Sequence, residues 1–161
     1  MQSKAIAVRE IVTHSPLETE RLGGRLGIHL ESGDVVCLEG DLGTGKTCLV
    51  RGLAHGWGQL GRVTSPTFTL INEYRRASDH TRFYHVDCYR LDNATEAWSL
   101  GLEDVLTAPG VVAVEWAERI RAILPAEALW VHIEDAGNDQ RRLKLMAYGM
   151  RAAALLRSVD G

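Results

Sequence analysis

Apolar and polar positions alternate in blocks along this chain, and the blocks change period. Ala5 to Val12 reads as an opening strand, and Ser15-Pro16-Leu17-Glu18 as a helix start, with Ser at the N-cap, Pro at the first turn and Glu closing a capping box. Leu22, Leu26 and Leu30 then recur every four residues as a packing stripe, and the Gly23-Gly24 pair within it permits close approach to a neighbour. Ser32-Gly33-Asp34 turns the chain into Val35-Val36-Cys37-Leu38, a short continuous apolar run of the kind expected for a buried strand. A helix from Lys46 to about Trp57 follows, ending in a stretch punctuated by Gly56, Gly58 and Gly61.

Two strands come next, Phe68 to Tyr74 and Phe83 to Tyr89, joined by a polar loop from Arg75 to Thr81. Ala94 to Leu106 is helical in composition and is broken by Gly101. Val111 to Glu115 is a second continuous apolar run, ending in a carboxylate and continuing through Trp116 into a short helix that stops before Pro125. Leu129–Ile133 and Arg142–Met146 alternate around Gly137-Asn138-Asp139 as a hairpin, and a helix from about Met150 to Leu156 closes the chain. Strand and helix interleave, which predicts an α/β fold. Neither a repeat nor a linker interrupts it, so residues 1–161 are expected to form a single domain.

The segment between the Val35 strand and the Lys46 helix carries the chemistry. Gly40-Asp41-Leu42-Gly43-Thr44-Gly45-Lys46-Thr47 matches the phosphate-binding P-loop pattern. The glycines permit a tight turn with positive φ, so that peptide N–H groups from about Gly43 to Cys48 converge on an anion at a helix N-terminus. Lys46 supplies a charge for the β- and γ-phosphates, and the Thr47 hydroxyl is placed to bind Mg²⁺. Lysine is scarce here, with Lys4 and Lys144 the only others, and one of the three falls on the required position.

A phosphate loop also needs a carboxylate at a strand end to hold the metal. Asp87 and Glu115 both qualify, and either could ligate Mg²⁺ while the other orients the attacking water. Thr64, Ser65 and Thr67, set around Pro66, fall where a loop sensing the γ-phosphate would lie. His85 shares the strand face of Asp87, with core and functional roles equally open. Trp116, beside Glu115, reads first as packing.

Composition narrows the classes. A net charge of −3 and a pI near 6.1 argue against general coating of nucleic acid, DNA included, although 15 of the 18 cations are arginines and a local basic patch is compatible with that balance. Cys37, Cys48 and Cys88 are too few and too scattered for a disulfide framework or a zinc site, and each is expected to be a small buried hydrophobe. With no signal segment and no apolar run long enough for a membrane, the expectation is a cytoplasmic protein. The guanine-reading Asn-Lys-x-Asp stretch is missing, which favours ATP over GTP, and the lack of a long basic lid counts against a small-molecule kinase.

Four segments in order, the phosphate loop, Ser65-Pro66-Thr67-Phe68, His85-Val86-Asp87-Cys88-Tyr89-Arg90 and Glu115-Trp116-Ala117-Glu118, together resemble the TsaE (YjeE) family of bacterial P-loop ATPases. The resemblance runs from roughly Ser15 to Pro125. It implies a three-layer P-loop fold with a mixed, largely parallel sheet, the hairpin lying at its C-terminal side. It also implies ATP and Mg²⁺ as cofactors, weak ATPase activity without partners, and a TsaB–TsaD pair as partner. That pair attaches threonylcarbamoyl to the adenosine beside the anticodon of tRNAs reading codons that begin with A, so tRNA would be met through the complex. By matching position, Lys46, Asp87 and Glu115 look catalytic, with Thr47 and Glu115 as metal ligands and Asp87 as the acid needed for hydrolysis. Residues 40–48 with Ser65 and Thr67 look like the nucleotide contacts. Two other readings predict different behaviour: a small-molecule kinase would transfer phosphate to an acceptor other than water, and a nucleotide-gated binding module would function on ATP binding alone.

Overall fold

The computed structural model describes residues 4–63 and 70–160. Its strands are β1 (Ala7–Thr13), β2 (Val35–Glu39), β3 (Ile71–Arg75), β4 (Arg82–Asp87), β5 (Gly110–Glu115), β6 (Leu129–Gly137) and β7 (Gln140–Ala147). The helices are α1 (Pro16–Gly27), α2 (Lys46–Trp57), α3 (Ala94–Ser99), α4 (Leu102–Thr107) and α5 (Met150–Arg157), with a 3₁₀ segment over Ala117–Ile123 after β5. All seven strands join one sheet in the order β1-β7-β6-β2-β5-β4-β3. β2 pairs in parallel with β5 and β6, and β4 in parallel with β5, while β1–β7, β6–β7 and β3–β4 are antiparallel. Only β3 and β7 therefore run against the rest, and the sheet is mixed but largely parallel in direction.

Alternation along the central strands builds a core on each face. Val36 and Leu38 of β2, Val111 and Ala113 of β5, and Val131 and Ile133 of β6 turn to one side, where Leu22 and Leu26 of α1, Leu49 and Leu53 of α2 and Leu155 of α5 cover them. Val35 and Cys37, Val112 and Val114, and Trp130 turn to the other, beneath Ala97 of α3, Leu102 of α4 and Ile120. Both faces are covered, which is why β2 and β5 read as unbroken apolar runs rather than alternating ones. The result is the three-layer arrangement expected from the sequence.

Helix α1 is capped by Ser15, whose Oγ accepts from the Glu18 N–H at 3.1 Å, but the Glu18 carboxylate accepts from the His14 N–H at 2.6 Å, one residue before the N–H that a capping box would use. It lies against α2 at backbone distance. A Cβ at Gly23 would sit 2.4 Å from the Leu49 carbonyl oxygen, and one at Gly52 would sit 2.0 Å from that of Glu20. Gly27 and Gly56 make the same kind of approach, so two Gly-x-x-x-Gly spacings face each other across the helix pair. This packing fixes α2, and with it the residues that open it.

Boundaries moved in several places. β1 begins at Ala7 rather than Ala5, and β4 stops at Asp87, because the Asp87 carboxylate accepts from the Tyr89 N–H at 2.9 Å and closes a turn. Residues 68 and 69 of the strand expected from Phe68 lie outside the described residues, and the described part runs Ile71–Arg75. Cys37 and Cys88 are buried, and burial pushes the Cys88 thiol up to about 12. Cys48 departs from the expectation of a buried hydrophobe: it is half-exposed, and its thiol donates to the Pro16 carbonyl at 3.0 Å.

Candidate functional site

Parallel pairing of β2, β4 and β5 brings their C-terminal ends to one edge of the sheet, the usual place for a ligand in an α/β fold. The phosphate loop leaves β2 there. Gly40, Gly43 and Gly45 hold φ of 146°, 78° and 103°, conformations a side chain rarely adopts, and Gly45 caps α2. Gly40 is also constrained by space, since a Cβ would lie 2.4 Å from the Ile133 carbonyl oxygen of β6. The Thr44 side chain folds back, its hydroxyl donating to the Asp41 carbonyl at 2.9 Å.

Lys46 is the first residue of α2, and its ammonium reaches back over the loop. It donates to the carbonyls of Gly40 and Asp41 at 2.6 and 2.7 Å and lies 4.1 Å from the centroid of the Trp116 ring. Burial lowers its pKa, while the carboxylates of Glu115, Glu118, Asp87 and Asp41 act in the opposite sense and favour the charged form. Thr47 points to β5, where its hydroxyl lies 3.0 and 3.2 Å from the two Glu115 oxygens.

Glu115 is only 3 % exposed, and one of its oxygens also lies 2.5 Å from Nε2 of His85, which is fully buried. Trp116 precedes the 3₁₀ segment with φ 58° and ψ 37°, and the Glu115 carboxylate faces Thr47 and His85. That left-handed conformation is strained for a residue other than glycine, and it places the indole against Lys46, Tyr89 and Arg119.

Asp87 stands opposite Glu115 in the β4–β5 register. Its pKa is raised, first by burial and further by the Glu115 charge, while the Tyr89 N–H, His85 and Lys46 pull it back. Lys46, Thr47, His85, Asp87 and Glu115 are thus brought to one strand edge, as the motif positions require. Ser65 and Thr67, with Thr64, lie outside the described residues. Cys48 belongs to the first turn of α2, with its side chain turned to the Pro16 carbonyl at the start of α1.

Two arginines near the loop carried no signal in the sequence. Arg119 donates to the carbonyls of Tyr89 and Leu91 and lies over the Trp116 ring. Arg141, on β7, donates to the carbonyls of Thr44 and Gly43 within the loop itself. Sequence separation hides both, since Arg141 and Thr44 are 97 positions apart.

Comparison with known proteins supplies a family. The family model described as threonylcarbamoyl adenosine biosynthesis protein TsaE matches residues 13–143. The chain belongs to the TsaE family. A relative from Bacillus subtilis, named tRNA threonylcarbamoyladenosine biosynthesis protein TsaE, is 41 % identical over 139 residues, covering 86 % of this chain and 85 % of its own. One of the same name from Treponema pallidum is 36 % identical over 132 residues, covering 82 % and 96 %. The crystal structure of Bacillus subtilis YdiB superposes with a TM-score of 0.78 at 35 % identity, covering 96 % of this chain and 95 % of that one. The family match reaches from the last residue of β1 into β7, so it takes in the phosphate loop, both acids and Arg141. Among the described residues no helix is long and apolar enough to cross a membrane.

Proposed function

We propose that this chain is one P-loop ATPase domain that binds ATP with Mg²⁺, hydrolyses it slowly alone, and serves a TsaB–TsaD threonylcarbamoyl transferase in the cytoplasm. On this reading hydrolysis resets the transferase between turnovers, and the product is threonylcarbamoyladenosine beside the anticodon of tRNAs reading codons that begin with A. Contact with tRNA runs through the complex, in keeping with the acidic net charge of −3. The observation that carries the reading is the convergence of Lys46, Thr47 and Glu115 at the end of the phosphate loop, within a family tied to that modification.

The donor set fits Mg²⁺. Thr47 offers a hydroxyl and Glu115 a carboxylate, 3.0 Å apart, and hard oxygen ligands of this kind are what the ion prefers. When bound, it would neutralise charge on the β- and γ-phosphates. The peptide N–H groups of residues 43–48 and the Lys46 ammonium bind the phosphate oxygens. Asp87 already accepts the Tyr89 N–H on one oxygen, and its carboxylate orients the attacking water. The water oxygen bonds to the γ-phosphorus as the bond to the β–γ bridging oxygen breaks, and ADP and phosphate leave. Arg119 and Arg141 are engaged with backbone carbonyls, so charge stabilisation by an arginine is assigned to a partner, which accounts for slow hydrolysis alone.

The test is threonylcarbamoylation by TsaB–TsaD followed over many rounds, with wild-type protein or Lys46→Ala. Sustained turnover with the wild type alone supports the reading. Equal yields with and without either protein overturn the assignment of client, and transfer of the γ-phosphate to a small-molecule acceptor would replace it with a kinase.

A further inference from the structure

Arg141 touches the phosphate loop from behind. It sits on β7 directly across from Asp135 of β6, and the Asp135 carboxylate accepts from its Nη1 at 3.0 Å, which fixes the guanidinium. Held there, Nε donates to the Thr44 carbonyl at 2.9 Å and Nη2 reaches the Gly43 carbonyl at 3.4 Å. The Arg141 side chain is 18 % exposed, so these bonds are partly shielded from water. The same hairpin supports the loop a second time through the Ile133 carbonyl, which closes on Gly40.

A trans peptide carries its C=O and N–H in opposite directions. The Gly43 carbonyl belongs to the same peptide as the Thr44 N–H, and the Thr44 carbonyl to the same peptide as the Gly45 N–H. A cation that draws both carbonyls toward β7 therefore turns both N–H groups the other way, and the charge polarises them as donors. Among the described residues, Gly45 and Lys46 donate no hydrogen bond to another backbone group, while the Thr44 N–H faces the Asp41 carbonyl across the turn at Leu42-Gly43.

We propose that Arg141 is a positioning residue for nucleotide binding: by holding the Gly43 and Thr44 carbonyls it sets both peptides, and aims the Gly45 N–H at the phosphates, before a ligand arrives. Arg141 contacts the loop's carbonyls rather than the ligand. The inference rests on the phosphate-loop reading above and adds that the C-terminal hairpin is part of the loop's machinery. Lysine cannot replace it fully, because one ammonium lacks the fork that spans two successive carbonyls.

The experiment is calorimetric titration of the full chain with ADP, ATP and inorganic tripolyphosphate, alongside the melting temperature of the nucleotide-free protein. Arg141→Met should weaken all three ligands by about tenfold, the scale of one charge-assisted hydrogen bond, with the nucleotide-free Tm within about 2 °C of wild type. Arg141→Lys should recover part of that loss, and Asp135→Asn, which removes the charge holding the guanidinium but keeps an oxygen for the Gly137 N–H, should lose about threefold. Wild-type affinities in Arg141→Met, or a loss that follows a fall in Tm, overturn the proposal. Should Arg141→Met fail to fold, Arg141→Lys and Asp135→Asn decide by the same criteria. Lys46→Ala separates the two claims: if it loses binding while the Arg141 variants keep it, only the positioning role fails, whereas tight binding in Lys46→Ala would remove the phosphate-loop reading itself.

Discussion

Asp87 and Glu115 end neighbouring parallel strands in direct register, and yet their surroundings differ sharply. Glu115 is buried between Thr47 and His85, with both oxygens within hydrogen-bonding distance of a partner side chain. Asp87 is only partly buried, spends one oxygen on the Tyr89 N–H, and carries a raised pKa. A carboxylate set rigidly beside a hydroxyl is suited to hold a cation. One that is half-buried, with an affinity for protons raised by burial, is suited to handle water. Equivalent strand positions therefore do not imply equivalent chemistry; the residues packed around each acid separate them.

Substitution of the two acids should separate two kinds of loss. Asp87→Asn should lower the hydrolysis rate by about 10²–10³-fold, the usual worth of a positioned acid–base group, with ATP affinity within about twofold. Single-turnover hydrolysis and equilibrium binding measured on the same sample distinguish the two quantities. Glu115→Gln should act on the metal instead, raising the Mg²⁺ concentration needed to tighten ATP binding by at least about tenfold. If the two variants lose the same quantity, the division of roles is wrong.

His85 tests how far the Glu115 side depends on burial. Removing the hydrogen bond with His85→Leu leaves a buried carboxylate short of a partner and should cost about 2 kcal/mol of stability in denaturant titrations. His85→Gln, which can keep a donor near the same place, should cost less. No comparable penalty is expected at Asp87, which is only half-buried.

Acidity gives a smaller and opposite test. Because the folded-state pKa of Asp87 is raised, the native protein holds that proton more tightly than the unfolded chain. Between the two pKa values stability falls as pH rises, so at neutral pH the ionised carboxylate is a cost to the fold. Asp87→Asn should then raise the nucleotide-free Tm by about 2 °C at pH 7, with the gain vanishing in acid. The acid limb of the hydrolysis rate should lie above the ordinary carboxylate range, because the reacting form is the ionised one.

Local sequence was enough for the parts of the site that local geometry makes. The glycines of residues 40–45 need their backbone conformations whatever the rest of the chain does, and Val111–Val114 reads as a strand because both its faces are covered. The capped start of α1 and the Gly137 hairpin were legible for the same reason. What was hidden depends on pairing between distant segments. Thr47 meets Glu115 across 68 positions, and no period in the sequence ranks that acid above Asp87. Insertion of β6 between β2 and β7 brings Arg141 to the loop, and hairpin register alone decides which arginine arrives. The facing glycines of α1 and α2 were half visible: Gly23-Gly24 suggested close approach, and the four-residue spacing to Gly27, repeated at Gly52 and Gly56, was the signal that completes it.

On the proposed function, hydrolysis, and not nucleotide binding alone, drives the work done on tRNA. The decisive experiment is threonylcarbamoylation by TsaB–TsaD over many rounds, with Asp87→Asn in place of the wild type. A first round of product followed by arrest, in a variant that still binds ATP, is the predicted result. Sustained turnover with Asp87→Asn while its ATP hydrolysis is lost would contradict the claim and leave a module that acts through binding.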